Sequence, residues 1–140
     1  MSTDIKALVL DWTDAFNQHD PDAYASFMAE DCVFTNVGFG ERSVGRAAQR
    51  ADLARLLAAW SDLHLEVVNL LVAGDFYTKE WIMTGVHTGD MPGLPATGRS
   101  FRIVGAGVGQ VRDGKTANLT EYWNLADFLG QVGALPPRAG

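Results

Sequence analysis

Glu121 stands in an alternating run, Leu119–Glu121–Trp123, near the end of the last β-prone stretch of the chain. Alternation places these three side chains on one face of a strand. If that face lines a cavity, a carboxylate among large apolar groups becomes a stronger base, because desolvation disfavours its charged form. Such a base can remove a proton α to a carbonyl. In the opposite phase Asn118, Thr120, Tyr122 and Asn124 line the cavity and Glu121 meets solvent. His87 ends an earlier β-prone run beside a loop punctuated by Gly and Pro. It suits an acid, a base or an oxyanion donor, or else a structural role bonding the carbonyls of Gly89 to Gly98. Asp90 reads as a turn residue of that loop. Glu80 and Glu121 could share one cavity, a pairing whose split proton affinities suit acid–base work or activation of water for epoxide opening. The alternative is a surface pairing of Glu80 with Lys79 or Arg102.

Other chemistries are disfavoured. The histidines His19, His64 and His87 are scattered, and the single cysteine, Cys32, excludes both an internal disulfide and a thiolate metal cluster. Cys32 sits among apolar residues and reads as a buried, inert thiol. Gly105, Gly107 and Gly109 alternate along a strand, and no helix start follows them, so they are not a phosphate loop. We therefore expect no metal and no cofactor. A net charge of -6 argues against nucleic acid as a partner. The N-terminus has no basic region followed by an apolar run, and no stretch is long and apolar enough to span a bilayer, so no membrane role is expected and the cytoplasm is the default location.

These residues need elements to hold them. The length, 140 residues, with 47% hydrophobic and 20% charged residues, suits one globular domain over residues 1–140. Ile5, Leu8, Val9, Trp12 and Phe16 recur at helical spacing after Thr3 or Asp4 as a cap. Asp20-Pro21 reads as cap and first position of a short second helix carrying Tyr24, Phe27 and Met28. CVFTN is a short strand broken by Gly38 and Gly40, and a third helix is expected from Arg46 to Trp60. Leu63–Val72, Phe76–His87, Phe101–Val111 and a last run to about Asn124 read as strands. Gly74-Asp75 and Asp113-Gly114 mark turns, and a short helix reaches Gln131 before a tail, ALPPRAG, expected to fray. The three glycines of the Phe101 strand predict bending or close approach of a neighbour. Helices followed by antiparallel strands imply an α+β fold: a cone-shaped curved sheet with N-terminal helices across it, enclosing a pocket open at the wide end.

Two segments, EWIMTGVHTGDMPGLPATGR (80–99) and RDGKTANLTEYWNLADFLGQVG (112–133), resemble the SnoaL-like polyketide cyclases and ester cyclases of the nuclear-transport-factor-type superfamily. The order and spacing match a strand ending in a His-Thr-Gly motif, a Gly-x-Pro-x-Thr-Gly loop, a Gly-Lys turn, and a strand leading into a helix. The resemblance implies a cone-shaped barrel, an oligomer (a homodimer or homotetramer), no cofactor, and closure of an aromatic polyketide ring by intramolecular aldol condensation. It also implies an acid–base aspartate where this chain has Asn124, after Trp123. An acidic residue after the Gly-Lys turn is here Asn118, and an arginine before the first Trp is Glu80. A carboxamide donates and accepts hydrogen bonds but is no base, so the reading moves the basic role to Glu121. Asn124, His87 or Asn36 is left to hold the enolate oxygen, and Asn36 lies where relatives place a polar pocket group, or else caps the turn after its strand. Of the aromatic residues, most belong to a core, but a cavity needs some at its lip. Trp12, Phe16, Phe27 and Trp123, with Asn36, are the expected substrate contacts for a bulky hydrophobic small molecule. A hydroxylase-type relative, an epoxide-opening enzyme and a non-catalytic binding domain are the rival readings.

Overall fold

The structure, a computed structural model, describes residues 4–135. Helix α1 (Ile5–Asn17) starts at Asp4, whose carboxylate accepts a hydrogen bond from the Ala7 amide at 3.1 Å and so satisfies one of the unpaired N–H groups of the first turn. Its Ile5, Val9, Trp12 and Phe16 stripe is buried. Asp20 caps α2 (Pro21–Ser26) through the Ala23 amide, with Pro21 in the first turn. Together the two helices bring Trp12 onto Tyr24, stacked at 5.5 Å between ring centroids. Helix α3 (Arg46–Ala59) runs without a loop into a strand at Trp60. Trp60, expected on the apolar face of α3, instead begins that strand. The other expected helix and strand segments are all present, with ends shifted by a few residues. The chain adds one unforeseen strand, β2. Of the tail expected to fray, residues 136–140 lie outside the described residues, as does Thr3.

One six-stranded sheet carries the remaining chain: β1 (Met28–Asn36), β2 (Glu41–Val44), β3 (Trp60–Ala73), β4 (Phe76–His87), β5 (Ser100–Arg112) and β6 (Lys115–Trp123), in the order β2-β1-β6-β5-β4-β3. All neighbours are antiparallel except β1 and β6, which run parallel. The sheet is curved and unclosed, and the helices lie over its concave face, with α4 (Leu125–Gln131) beside β5 at the end of the chain. Asp113 and Gly114, both at positive φ (50° and 74°), make the two-residue turn between β5 and β6, the geometry that suits the right-handed twist of a hairpin. At the other edge β3 shifts register against β4 between Ser61 and His64. There Asn17, at the end of α1, clamps Leu65 by two hydrogen bonds of 2.9 and 2.8 Å, which fixes the first helix to the bent strand. Among the described residues no helix is long and apolar enough to cross a membrane.

The alternating glycines of β5 have a specific use. Gly105, Gly107 and Gly109 sit opposite Trp81, Lys79 and Tyr77 on β4, and opposite Trp123, Glu121 and Leu119 on β6. A Cβ at Gly105 would lie 2.3 Å from the Trp81 ring, and one at Gly109 would lie 2.1 Å from the Tyr77 ring. The bare strand thus gives floor space to large inward side chains from its two neighbours, the close approach that the glycines predict. Tyr77, lying across Gly109, reaches Thr116 of β6 with its hydroxyl at 3.1 Å. Replacing Gly109 by Ala should therefore displace the Tyr77 ring and cost about 1–3 kcal/mol, as overpacking of a filled core does. Urea unfolding checks this, and an unchanged midpoint would show that the ring does not need the space.

Candidate active site

The centre of the inner sheet face is a row of three residues in register: Lys79 on β4, Gly107 on β5 and Glu121 on β6. Two strand spacings, about 4.8 Å each, separate the outer two backbones, and nothing but hydrogen stands on the middle one. The side chains meet over Gly107, with Lys79 Nζ 3.1 Å from Glu121 Oε1. Trp81 Nε1 donates to the other carboxylate oxygen, Oε2, at 2.7 Å. Lys79 Nζ also lies 3.8 Å from the centroid of the Trp12 ring, where the negative face of an indole attracts a cation. Both members of the pair are buried, the Lys79 side chain at 1% exposure and that of Glu121 at 10%. Burial pulls the Lys79 ammonium below the usual lysine range, and the neighbouring Glu121 charge opposes that shift. Burial also raises the Tyr24 and Tyr77 hydroxyls, each further raised by the Glu121 charge, so both stay protonated. Cys32 is fully buried with its thiol pushed up to about 11, first by desolvation, as an inert thiol should be.

Above this row opens a cavity of about 1150 Å³, larger than most drug-sized sites and roomy enough for a fused-ring molecule. Its wall includes the aromatic side chains of Trp12, Phe16, Trp60, Trp81, Trp123 and Phe128, and Lys79, Glu121 and Asn36 are among its polar points. Residues Asp90 to Leu94 of the β4–β5 loop form part of the wall. That loop is held at its neck, where the Thr88 and Gly89 amides donate to Ala59 and Asp90 accepts from the Ala96 amide at 2.8 Å. Two indole N–H groups of the wall, Trp12 Nε1 and Trp60 Nε1, are buried without a partner. An indole nitrogen only donates, and each orphaned donor costs about 1–3 kcal/mol.

Of the two phases open for β6, the structure has the one in which Leu119 and Glu121 point inward with Trp123, while Asn118 and Tyr122 are exposed. Trp12, Phe16, Asn36 and Trp123 are on the cavity wall. Asn36 Oδ1 accepts from Trp123 Nε1 at 2.8 Å and from the Phe39 amide at 2.9 Å, so its Nδ2 hydrogens are what it can offer a ligand. Three expected residues lie elsewhere. Asn124 is exposed and caps α4, accepting from the Asp127 amide at 3.2 Å. His87 is fully buried away from the wall, with Nδ1 3.1 Å from the Thr97 hydroxyl and its ring against Phe128. Its backbone bonds Arg99 and Gly98, so it closes the neck of the loop. Phe27 ends α2, and its carbonyl accepts from the Thr116 amide, which holds it off the wall. Glu80 does not join Glu121. It points to the outer face and accepts from Asn69 at 2.9 Å, so the two-carboxylate arrangement for epoxide opening is not formed by this pair. Lys79, considered only as a surface partner for Glu80, is the residue that sequence reasoning missed. The signal was present in its alternation with Tyr77 and Trp81.

A curved open sheet, helices on its concave face and a charged pair at the floor of an aromatic cavity define a small-molecule pocket of the ketosteroid isomerase-like fold. The SnoaL-like polyketide cyclase profile matches residues 6–132, and the chain belongs to that family. Among solved structures, a Xanthomonas campestris protein described as a candidate polyketide cyclase is 31% identical, with a TM-score of 0.78 over 91% of this chain and 95% of that one. A Catenulispora acidiphila protein with a ketosteroid isomerase-like fold is 24% identical, with a TM-score of 0.82 over 96% of both chains. AclR of Streptomyces galilaeus, described as a candidate hydroxylase, is 24% identical, with a TM-score of 0.80 over 94% of this chain and 86% of that one. The last two likenesses show the fold alone. No curated protein matches the chain.

The pair sets a stability test. Lys79→Met removes one buried charge and strands the other, which should cost about 3–5 kcal/mol. Adding Glu121→Gln to that variant removes the stranded charge and should recover a large part of the loss. Additive losses in the double-mutant cycle would mean the two side chains do not interact.

Proposed function

We propose that the chain is a cofactor-independent polyketide cyclase in which Glu121 removes a proton α to a carbonyl and the cavity folds the substrate for intramolecular aldol closure. The observation that carries this reading is the Glu121 carboxylate on the wall of a large aromatic cavity, one oxygen paired with Lys79 and the other with Trp81. Each carboxylate oxygen keeps a lone pair for a proton. The wall supports that substrate class, because its apolar area suits fused aromatic rings. Asn36 has amide hydrogens to offer the oxygen of the carbonyl under attack, where negative charge develops as the new bond forms. An acidified C–H between two carbonyls needs only modest base strength, so one placed carboxylate and a constrained chain suffice.

The test is turnover of an aromatic poly-β-ketone ester with a second ketone in reach. Glu121→Gln keeps the side-chain size and an acceptor for Trp81 but leaves the Lys79 ammonium unpaired, so folding is checked by circular dichroism, and the folded variant should show kcat lower by about 10²–10⁴. Retention of activity within about tenfold would place the base elsewhere.

We also propose that the chain works as a homodimer or larger. Phe76, Val104, Val108 and Tyr122 are 43–54% exposed on the outer sheet face, an apolar surface of the kind that a second copy covers. Light scattering at micromolar concentration should give at least twice the chain mass, and Val108→Asp should shift it toward the monomer. A monomeric parent would overturn this.

A further inference from the structure

Charge pairs meant only to hold a fold together have a preferred chemistry. Arg, planar and always charged, is the usual partner of a buried carboxylate, whereas Lys is the side chain whose amine becomes neutral when desolvated. Here the partner of Glu121 is Lys79, in the middle of the sheet and on the wall of the cavity. The chain has three lysines, Lys6, Lys79 and Lys115. Lys6 is exposed, and Lys115 bonds the Ser26 carbonyl at 2.6 Å on the surface. Lys79 alone is enclosed, with an indole face on one side and a proton acceptor 3.1 Å away on another. A desolvated amine in a pocket that takes a carbonyl compound is an arrangement that suits a Schiff-base-forming lysine, and the carboxylate beside it is a group that can take its proton.

We propose that Lys79 captures a ketone or aldehyde carbon of a ligand in this cavity as a protonated Schiff base. The proposal rests on the carbonyl-substrate reading above and gives Lys79 a covalent part in it. Lys79 ammonium gives one proton to the Glu121 carboxylate, and the free amine adds to the carbonyl carbon. Nitrogen loses a proton to the former carbonyl oxygen, which becomes the hydroxyl of a carbinolamine. Glu121 returns its proton to that hydroxyl, the C–O bond breaks, water leaves, and a C=N⁺ bond remains beside an ionised Glu121. Net charge is zero at start and finish, and no oxidant or reductant takes part. The regenerated carboxylate, next to the cationic C=N⁺ carbon, then takes the α proton. The electron pair is held as an enamine, which forms the new C–C bond to the second carbonyl and becomes C=N⁺ again. Glu121 gives its proton to the oxygen that becomes the hydroxyl, and water adds to the C=N⁺ carbon to release the ketone and Lys79 ammonium beside ionised Glu121.

The experiment uses the full chain with 2-naphthaldehyde and sodium cyanoborohydride at near-neutral pH, read by intact mass and peptide mapping. We expect reductive labelling of Lys79 about tenfold faster than of Lys6 or Lys115, and loss of that adduct in Lys79→Arg with an unchanged circular dichroism spectrum. A lysine with only a structural role and 1% exposure would be the slowest of the three. Labelling confined to Lys6, Lys115 and the N-terminus would overturn the proposal, and the peptide map of the unmutated chain decides this even if the variant misfolds. The two readings fail separately. Full cyclisation by Lys79→Arg with loss in Glu121→Gln removes the Schiff base and leaves the base, whereas a Lys79 adduct without loss of turnover in Glu121→Gln does the reverse.

Discussion

The buried Lys79–Glu121 pair over Gly107 is the interaction around which the inner face is arranged. Removing two charges from water costs several kcal/mol per ion even after relaxation, and a single Coulombic contact does not return that much. The fold supplies further partners from β4 and α1. Trp81, two residues along β4 from Lys79, donates to the free carboxylate oxygen, and Trp12 of α1 lays its ring over the ammonium. Gly107 removes the side chain that would keep the two apart, since a Cβ there would lie 2.6 Å from the carboxylate. Helix position, strand register and a glycine in the central strand are thus all tied to one ion pair.

The same arrangement explains why the interior is not filled. Tyr77 and Leu119 close the row on one side of the pair, packed across Gly109, and Trp81 and Trp123 flank Gly105 on the other. Aromatic rings then line a space instead of meeting across it. Trp60, Phe101 and Phe128 form a tight group at ring separations of 4.6–5.0 Å, and the β4–β5 loop is pinned beside Trp60 through Ala59. Rigid walls of this kind restrict a flexible ligand to few conformations.

Local chemistry was legible in the sequence wherever it depends on neighbours along the chain. Asp20-Pro21, Asp113-Gly114 and the alternation of Leu119, Glu121 and Trp123 each specify a cap, a turn or a face by short-range rules. What was not legible depends on register between strands distant in sequence. Glu80 and Lys79 are adjacent, and only the phase of β4 decides which of them reaches Glu121. That phase was readable from Tyr77 and Trp81, but the pairing over Gly107 was not. β2 escaped notice because four largely exposed residues show no alternation. Phe27 misled for the converse reason: an aromatic residue in an apolar helix does not reveal that its carbonyl is tied to the start of β6.

Asn124 shows how a motif can point to a neighbourhood without naming the group. It follows the last residue of β6, where the chain must turn into α4, and its side-chain oxygen is spent on the Asp127 amide. In this chain that side chain is held by an orphan amide of the helix N-terminus and exposed to water. Glu121 lies three residues earlier, within the strand, where neighbours on both sides fix its backbone and burial removes competing water. A proton-transfer group must hold its position to a fraction of an ångström, and strand interiors hold side chains better than strand ends do. The exchange of a carboxylate for an amide at position 124 is therefore compatible with base chemistry in this cavity, because the interior of β6 already presents a carboxylate to it.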